Sequence, residues 1–258
     1  MGLAISGTAL GGIIFNQVLE QLLQSDVGFG WAVRVVGFVI LALVIYMSLS
    51  VRPFAPRRPR GLFILGAFKQ KPYLFTNFAF FSGLLGVYIP LFYMVEYSLS
   101  HGMENNFAQH QVAFYNAASF FGWFIPNAVG DRLGCFNISI FTYLACVLTC
   151  LLWTSAQSPV TITIWNVCYG LFYGGVFSLY SQTVAQSCPN ISDMGTYIGQ
   201  GSAFCSFGAL AGAPIGGLLI RQYGYLSASM LSGGAMFLAA CCVITARLLL
   251  DKALFVVV

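Results

Sequence analysis

Hydrophobic residues dominate the chain in long runs, which are interrupted by short polar, glycine-rich or proline-rich stretches. A helix that crosses a hydrocarbon core about 30 Å thick needs roughly 20 mostly apolar residues. Backbone groups in lipid must be hydrogen-bonded within their own segment, and non-alternating runs that contain glycine do not suit barrel strands. The pattern predicts an all-α polytopic membrane protein with about eight transmembrane helices, at residues 2–24, 28–50, 73–97, 107–128, 136–156, 159–183, 196–220 and 227–249.

The composition indicates that the chain lies in a lipid bilayer. Of its 258 residues, 59% are hydrophobic and 7% are charged, and the mean hydropathy is +0.83. So few polar residues cannot cover a water-soluble globule of this size. The net charge of +4 forms no basic stripe, so we expect no nucleic-acid partner. Most of the eight cysteines fall inside apolar runs without a C-x-x-C pair, so we expect no metal site and no cofactor.

The distribution of cations predicts the orientation in the membrane. The connection at residues 51–72 carries six of the eleven Lys and Arg residues. Cytoplasmic loops of membrane proteins carry an excess of Lys and Arg, so this loop and, with an even number of spans, both termini should be cytoplasmic. The sequons at Asn137 and Asn190 then also fall in cytoplasmic connections, and we expect no glycan on either.

Small residues recur at every fourth position in the first and the seventh run. Such spacing forms a smooth strip on one helix face, which lets a neighbouring backbone approach closely. We predict helix packing at Gly7, Gly11, Gly208, Gly212, Pro214 and Gly216. The segments around the two strips are weakly similar, as expected of parallel repeats. Packing without any repeat explains the spacing about equally well.

The run from Gly122 to Gly134 leaves a hydrophobic segment and ends in Gly-Asp-Arg-Leu-Gly. In an apolar region the adjacent Asp131 and Arg132 need water or a partner, and the flanking glycines permit a tight turn. The run therefore predicts a turn at the membrane surface, with an ordinary solvated loop as the alternative. It resembles the Gly-x-x-x-Asp-Arg-x-Gly loop of major facilitator superfamily transporters. With Pro126 upstream, it is similar to the loop between helices 8 and 9 of the monocarboxylate porter family.

The resemblance implies a conformational role for this loop. In the family it makes charge and helix-dipole contacts that hold one access state and break as the two halves of the transporter rock. We therefore expect a gating loop that does not contact the substrate. Its residues would be Gly122, Pro126, Gly130, Asp131, Arg132 and Gly134.

The resemblance covers nearly the whole chain. The other matching segments are Gly2 to Gly12 for family helix 5, Gly28 to Arg34 for helix 6, the basic segment from Arg52 for the central loop, and Gly195 to Leu219 for helix 11. It implies a major facilitator fold with helices 5 to 12 of a twelve-helix transporter and without the first four. Residues 1–50 would form the last two helices of the N-terminal half, 51–72 the basic cytoplasmic central loop, and 73–258 the six-helix C-terminal half.

Two positions in family helix 8 depart from the family pattern. Proton-coupled animal members have an Asp and an Arg four residues apart before the proline of this helix, whereas this chain has Phe121 and Ile125. An intramembrane carboxylate is the usual proton carrier, so the substitution argues against proton-linked monocarboxylate uptake. The pattern is closer to the fungal members of the family, which include transporters of other organic compounds and secondary metabolites.

Polar and aromatic residues at membrane depth are candidates for a substrate cavity, because polar groups are costly there and an aromatic face suits an organic molecule. The aromatic residues share one face of the sixth predicted helix. The candidates are Asn16, Asn116, Asn166, Tyr169, Tyr173 and Phe177. Hydrogen bonding between helices is the alternative for the asparagines, and core packing or lipid contact is the alternative for the rings.

These features predict a secondary transporter of a small organic molecule, an organic anion or a fungal secondary metabolite, that works by alternating access. A truncated, transport-inactive or regulatory membrane protein is the main alternative. A membrane enzyme fits poorly, because His101 and His110 are the only histidines and no nucleophile motif accompanies them. We expect a multi-pass membrane protein, for which the family resemblance implies the plasma membrane, and the oligomeric state stays open.

Overall fold

The computed structural model describes residues 2–25, 28–50 and 63–250, and this part of the chain is almost entirely helical. Its α-helices are α1 (Gly2–Gln24), α2 (Phe29–Ser50), α3 (Lys71–Ser100), α4 (Asn105–Leu133), α5 (Cys135–Leu151), α6 (Pro159–Gln186), α7 (Met194–Tyr223) and α8 (Tyr225–Leu250). Short 3-10 helices lie at Leu65–Lys69, Trp153–Ser155 and Ile191–Asp193. Each predicted run overlaps one α-helix, although the run 136–156 extends beyond Leu151 and includes the 3-10 helix Trp153–Ser155. The four arginines of the predicted central loop lie outside the described residues.

Five of these helices, α2, α3, α6, α7 and α8, are long and apolar enough to cross a bilayer. Helix α5 is also apolar, although it has only 17 residues. Helix α4 is long, but it carries Gln111, Asn116 and a charged last turn. The part of the chain that the structure describes is therefore that of an integral, multi-pass membrane protein.

The core lies among helices α3 to α8. Helix α3 contacts α6, α7 and α8, while α4 packs against α6, and α5 packs against both α6 and α8. Helix α1 packs against α4, and α2 against α1. Ala32 is the only buried residue among those described in α2, whose exposed side chains include Phe38, Leu41 and Tyr46. An all-round apolar helix with this exposure requires lipid or other helices around it.

The predicted turn over Gly122 to Gly134 is wrong for most of its length. Helix α4 continues through Gly122 and Pro126 to Leu133, and only Gly134 leaves the helical conformation, with φ of +89°. Glycine and proline are tolerated inside membrane helices, because neighbouring groups satisfy the backbone positions that they leave free. Gly134 is the one residue between α4 and α5. Its positive φ is accessible to glycine at little cost, so the reversal needs a single residue.

The Gln200 side chain of α7 makes two hydrogen bonds to the backbone of Ile64, in the segment that precedes α3. Gln200 accepts a hydrogen bond from the Ile64 backbone N–H at 3.0 Å and donates one to the Ile64 carbonyl oxygen at 3.3 Å. Nearby, Gln70 donates to the Tyr197 hydroxyl at 3.0 Å, and Tyr73 donates to the Tyr197 carbonyl at 2.8 Å. These bonds attach the segment before α3 to the first two turns of α7.

Candidate functional site

Helices α4 and α6 meet along a line of glycines at the centre of the bundle. A Cβ atom on Gly170 would collide with the carbonyl oxygen of Tyr115, and one on Gly122 would collide with that of Leu171. A Cβ atom on Gly174 would lie 2.6 Å from the Ser119 carbonyl oxygen. Such close approach is what small residues allow between membrane helices. Gly122, which the sequence assigned to the gating loop, therefore lies in this interface.

At the buried end of the predicted aromatic stripe, Tyr169 and the neighbouring Trp165 both donate hydrogen bonds to backbone carbonyl groups. Tyr169 is fully buried, donates a hydrogen bond to the Val87 carbonyl of α3, and stacks on Trp165 with ring centroids 5.0 Å apart. Trp165 in turn donates to the Thr149 carbonyl at 2.7 Å. Tyr169 therefore joins α6 to α3, as expected of a packing residue.

The other end of the stripe is partly exposed. Phe177 and Tyr173 are half-buried, and their ring centroids lie 4.7 Å apart. Rings from two neighbouring helices surround Phe177: Phe80 at 5.4 Å and Tyr88 at 6.3 Å from α3, and Trp123 at 5.8 Å from α4. Three helices thus contribute to one aromatic cluster, which we call the central aromatic cluster.

Several members of this cluster are absent from the sequence-based candidates. Tyr115 of α4 lies with its ring centroid 5.2 Å from that of Tyr173, and Tyr88 contacts Phe177. Phe80 stacks on Tyr180 at 3.9 Å. Phe80, Leu84 and Tyr88 are spaced four residues apart in α3, so a face shared by these residues was visible in the sequence. What the sequence did not indicate is that this face lies opposite Tyr173.

Asn166 lies in a buried polar cluster between α4 and α6. It is fully buried and donates to Gln111 Oε1 at 2.9 Å, while Gln111 donates to Thr163 Oγ1 at 3.0 Å. Asn166 Oδ1 has no hydrogen-bond partner among the described residues. The amide cluster therefore links the two helices one turn away from Tyr115 and Tyr169.

The other two asparagine candidates lie at the contact between α1 and α4. Asn116 is half-buried, and its Oδ1 atom would be 2.8 Å from a Cβ atom on Gly12. Asn16 is exposed and lines a separate cavity of about 340 Å³ between these helices. The walls of this cavity are Asn16, Gln17, Leu19, Leu23, Asn105, Gln109, Val112 and Ala113. Asn16 thus lines a cavity that includes no member of the central aromatic cluster.

The predicted gating residues Asp131 and Arg132 occupy the last turn of α4, and both are exposed. Gln182 of α6 donates to Asp131 Oδ1 at 3.4 Å. Gly130 lies against α6, with its Cβ position 3.3 Å from Leu179. Arg132 suits the negative end of the helix dipole of α4. The loop residues therefore border on α6 as well as on α5.

A buried arginine lies at the same end of the bundle and was not among the sequence-based candidates. Arg247 of α8 is only 2% exposed. Helix α8, which carries it, packs against α5. The cation near the end of a long apolar run was the available signal in the sequence.

The predicted packing glycines divide into two groups. In α7, Cβ atoms on Gly208 and Gly212 would collide with the Phe81 and Leu85 carbonyl oxygens of α3, and one on Gly216 would lie 2.7 Å from Ile89. Pro214 is exposed on the same helix. In α1, the Cβ position of Gly7 has open space around it, and that of Gly11 contacts Phe15 of the same helix alone. For Gly7 and Gly11, packing against another helix has no counterpart among the described residues.

The two sequons lie near helix ends in the structure. Asn137, in the first turn of α5, donates its side-chain amide to the Leu133 carbonyl at 2.8 Å. Asn190 is exposed before the 3-10 helix Ile191–Asp193. Their cytoplasmic orientation stays a prediction.

Fungal proteins are similar to this chain in sequence. No family model matches it. It is 36% identical over 248 residues to the Emericella nidulans protein named aspyridones efflux protein apdF. The aligned residues make up 93% of this chain and 51% of that protein. It is 33% identical over 258 residues to agnestins efflux protein AgnL12 of Paecilomyces divaricatus, 99% of this chain and 59% of that protein. The chain therefore spans about half to three fifths of the length of these relatives.

Solved structures of the Escherichia coli fucose:proton symporter FucP share the fold. One has a TM-score of 0.65 at 15% sequence identity and covers 88% of this chain and 58% of that chain. Another, of FucP in the outward conformation, has a TM-score of 0.61 at 16% identity. At these identities the likeness concerns the fold alone. The eight described helices thus have the fold of part of a major facilitator superfamily transporter.

Proposed function

We propose that this chain forms part of a secondary transporter that exports a small organic molecule, a fungal secondary metabolite, by alternating access. The observation that carries the proposal is the central aromatic cluster, in which α3, α4 and α6 converge on the half-buried Tyr173 and Phe177. A site lined by aromatic rings with a few hydroxyl groups suits organic molecules with apolar bulk. The efflux proteins among the relatives support the same function.

The resemblance to the fungal members of the monocarboxylate porter family supports a more specific assignment of the helices. We propose that α1 and α2 correspond to family helices 5 and 6, and α3 to α8 to helices 7 to 12. Residues 1–50 then belong to one half of the transporter and 73–258 to the other, with the basic segment 51–72 between them. The contact of α1 with α4 is the place where the two halves meet.

The end of α4 is the candidate gate. We propose that Asp131 and Arg132 stabilise one access state through α5 and α6, since Gln182 of α6 contacts Asp131 and both charges lie at helix ends. Their exposure leaves them free to exchange partners when the halves move. Substituting them should lower flux while leaving substrate affinity unchanged, because neither lies in the central aromatic cluster.

Export from yeast cells tests the proposal. The chain is expressed alone and, separately, preceded by the N-terminal half of the Emericella nidulans relative, and the cells are loaded with coumarin, a neutral fluorescent lactone. We expect faster loss of coumarin than from cells without the protein. Phe177→Ala should slow this loss several-fold, whereas Phe237→Ala, at an exposed position of α8, should not.

The same cells show which part of the proposal fails. Asp131→Asn and Arg132→Gln should reduce the export rate without changing the coumarin concentration that gives half of it. Equal retention with and without the protein, in both forms, would overturn the transport function and favour a transport-inactive or regulatory protein. Membrane fractionation of these cells tests the proposed location in the plasma membrane.

A further inference from the structure

We propose that the substrate of this site is an uncharged molecule that combines a flat aromatic body with an oxygen acceptor, and that Tyr115 and Tyr173 donate hydrogen bonds to that oxygen. The inference rests on the proposed transport function and specifies the chemistry of its substrate. It is carried by one unpaired hydroxyl, by the neighbours of that hydroxyl, and by the absence of charge around it in the described part of the chain.

The Tyr115 hydroxyl differs from those of five other tyrosines in the bundle. Tyr115 is 3% exposed, and its hydroxyl is buried without a hydrogen-bond partner among the described residues. The hydroxyls of Tyr73, Tyr93, Tyr97, Tyr169 and Tyr180 each donate to a carbonyl or an amide oxygen of another helix or loop. Buried polar groups are nearly always paired, so an unpaired one requires an explanation. A substrate oxygen that accepts from Tyr115 supplies it.

The surroundings of Tyr115 connect it to the partly exposed side of the cluster. The ring of Tyr173 lies 5.2 Å from that of Tyr115, and Tyr88 and Tyr173 both contact the ring of Phe177. Tyr88, Tyr173 and Phe177 are half-buried, whereas Tyr115 lies behind them. Three tyrosines from α3, α4 and α6 thus lie beside the rings that would stack on a flat substrate. An oxygen on the edge of that substrate can reach Tyr173 first and Tyr115 beyond it.

The absence of charge selects among substrates. The rings that contact Tyr88, Tyr115 and Tyr173 are those of Phe92, Tyr169 and Phe177, besides the contact between Tyr115 and Tyr173, and all of them are uncharged. The amide cluster of Gln111 and Asn166 is also neutral. A carboxylate buried here would lack a counter-ion, which is far more costly than burying a neutral carbonyl group that accepts hydrogen bonds. The site therefore favours a ketone, lactone or ester over an organic anion.

Three matched tricyclic compounds test the inference. Fluorene, 9-fluorenone and 9-fluorenone-2-carboxylate share one flat ring system and differ in an oxygen acceptor and a charge. Binding to the purified, detergent-solubilised chain is measured by equilibrium dialysis against protein-free micelles. We expect 9-fluorenone to bind about 3- to 10-fold more tightly than fluorene, the ratio expected for one net hydrogen bond. The carboxylate should bind at least about tenfold more weakly than the ketone.

Substitution of single hydroxyls assigns the effect to residues. Tyr115→Phe and Tyr173→Phe should each reduce the preference for 9-fluorenone over fluorene and leave the affinity for fluorene unchanged. Tyr97→Phe is the matched control, because its hydroxyl donates to the Ala156 carbonyl at 2.7 Å, away from the cluster. Tyr115→Phe removes an unpaired buried hydroxyl, so the variant should fold at least as well as the original chain.

The outcomes separate this inference from the proposed function. If coumarin is exported but the preference for 9-fluorenone survives in both variants, or the carboxylate binds as tightly as the ketone, the substrate chemistry is wrong and the transport function stands. If no tricyclic compound binds and coumarin is retained, both are wrong. Loss of the preference in the two site variants alone supports the inference.

Discussion

The glycine strips of α7 and α1 have the same four-residue spacing but different surroundings. Gly208, Gly212 and Gly216 lie directly on α3, so closely that Cβ atoms there would collide with its backbone or with Ile89. Among the described residues, nothing lies within 4 Å of a Cβ position on Gly7, and a Cβ atom on Gly11 would contact only Phe15 of its own helix. In α1 it is Gly12, one position further on, that faces another helix at Asn116.

The difference shows that a four-residue spacing of glycines places them on one face of a helix. It does not predict whether another helix packs against that face. A strip of small residues lowers the steric cost of close packing, and it contributes to stability when a second helix is there to use it. Stability measurements on the two strips can therefore break or sharpen the comparison. For a chain of this size, 1 kcal/mol corresponds to a change in Tm of about 2–4 °C.

The largest effect is expected for Gly212→Ala. The new methyl group would collide with the Leu85 carbonyl oxygen, and helix backbones cannot move apart without losing other contacts. We expect a loss of about 1–3 kcal/mol of unfolding free energy, typical of overpacking. Thermal unfolding of the detergent-solubilised protein measures it. Gly234→Ala on α8, where nothing lies within 4 Å of the Cβ position, is the matched control.

A smaller effect of opposite sign is expected for Pro214→Ala. Proline inside α7 lacks an N–H group, and the side chain is exposed, so it contributes little packing. Alanine would restore one backbone hydrogen bond and raise the unfolding free energy by about 1 kcal/mol. A decrease in Tm would instead show that the proline ring packs as the sequence predicted.

Gly12→Ala should cost less than about 1 kcal/mol, because the nearest atom is the end of a side chain that can rotate. Its Cβ atom would lie 2.8 Å from Asn116 Oδ1. The double variant Gly12→Ala with Asn116→Ala should recover the loss, which a double-mutant cycle in thermal unfolding would detect. An additive result would mean that α1 and α4 do not touch at this point.

Gly7→Ala should have the smallest effect, within about 0.5 kcal/mol and in the direction of higher stability, because alanine favours the helix over glycine. Circular dichroism during heating measures it. A loss as large as that of Gly212→Ala would remove the contrast between the two strips.

The positions of the helices could be predicted from the sequence, because the need for about 20 apolar residues per span is local. Lys71–Ser100 and Pro159–Gln186 begin within two residues of their predicted starts. The turn predicted for the run Gly122 to Gly134 is confined to Gly134, because glycine and proline mark a turn in water but are tolerated inside a membrane helix. The α4 run needed its neighbour α6 before Gly122 could be recognised as a packing residue.

The candidate site could be predicted only in part. Tyr173 and Phe177 share a helix face, and periodicity shows this without a structure. Tyr115 and Tyr88 come from other helices, and their convergence depends on how α3 and α4 pack against α6. A polar residue at mid-membrane depth, such as Asn166, can either line a cavity or hydrogen-bond between helices. In the structure the Asn166 amide donates a hydrogen bond to Gln111.

The double hydrogen bond between Gln200 and Ile64 reaches only main-chain atoms at residue 64. Any residue other than proline can supply that N–H and that carbonyl, whereas position 200 needs a side chain that both donates and accepts a hydrogen bond. Glutamate, the same size but without a donor in its ionised form, would turn one of the two bonds into a repulsion between oxygens. The two hydrogen bonds between this segment and α7 therefore depend on one side chain, that of Gln200.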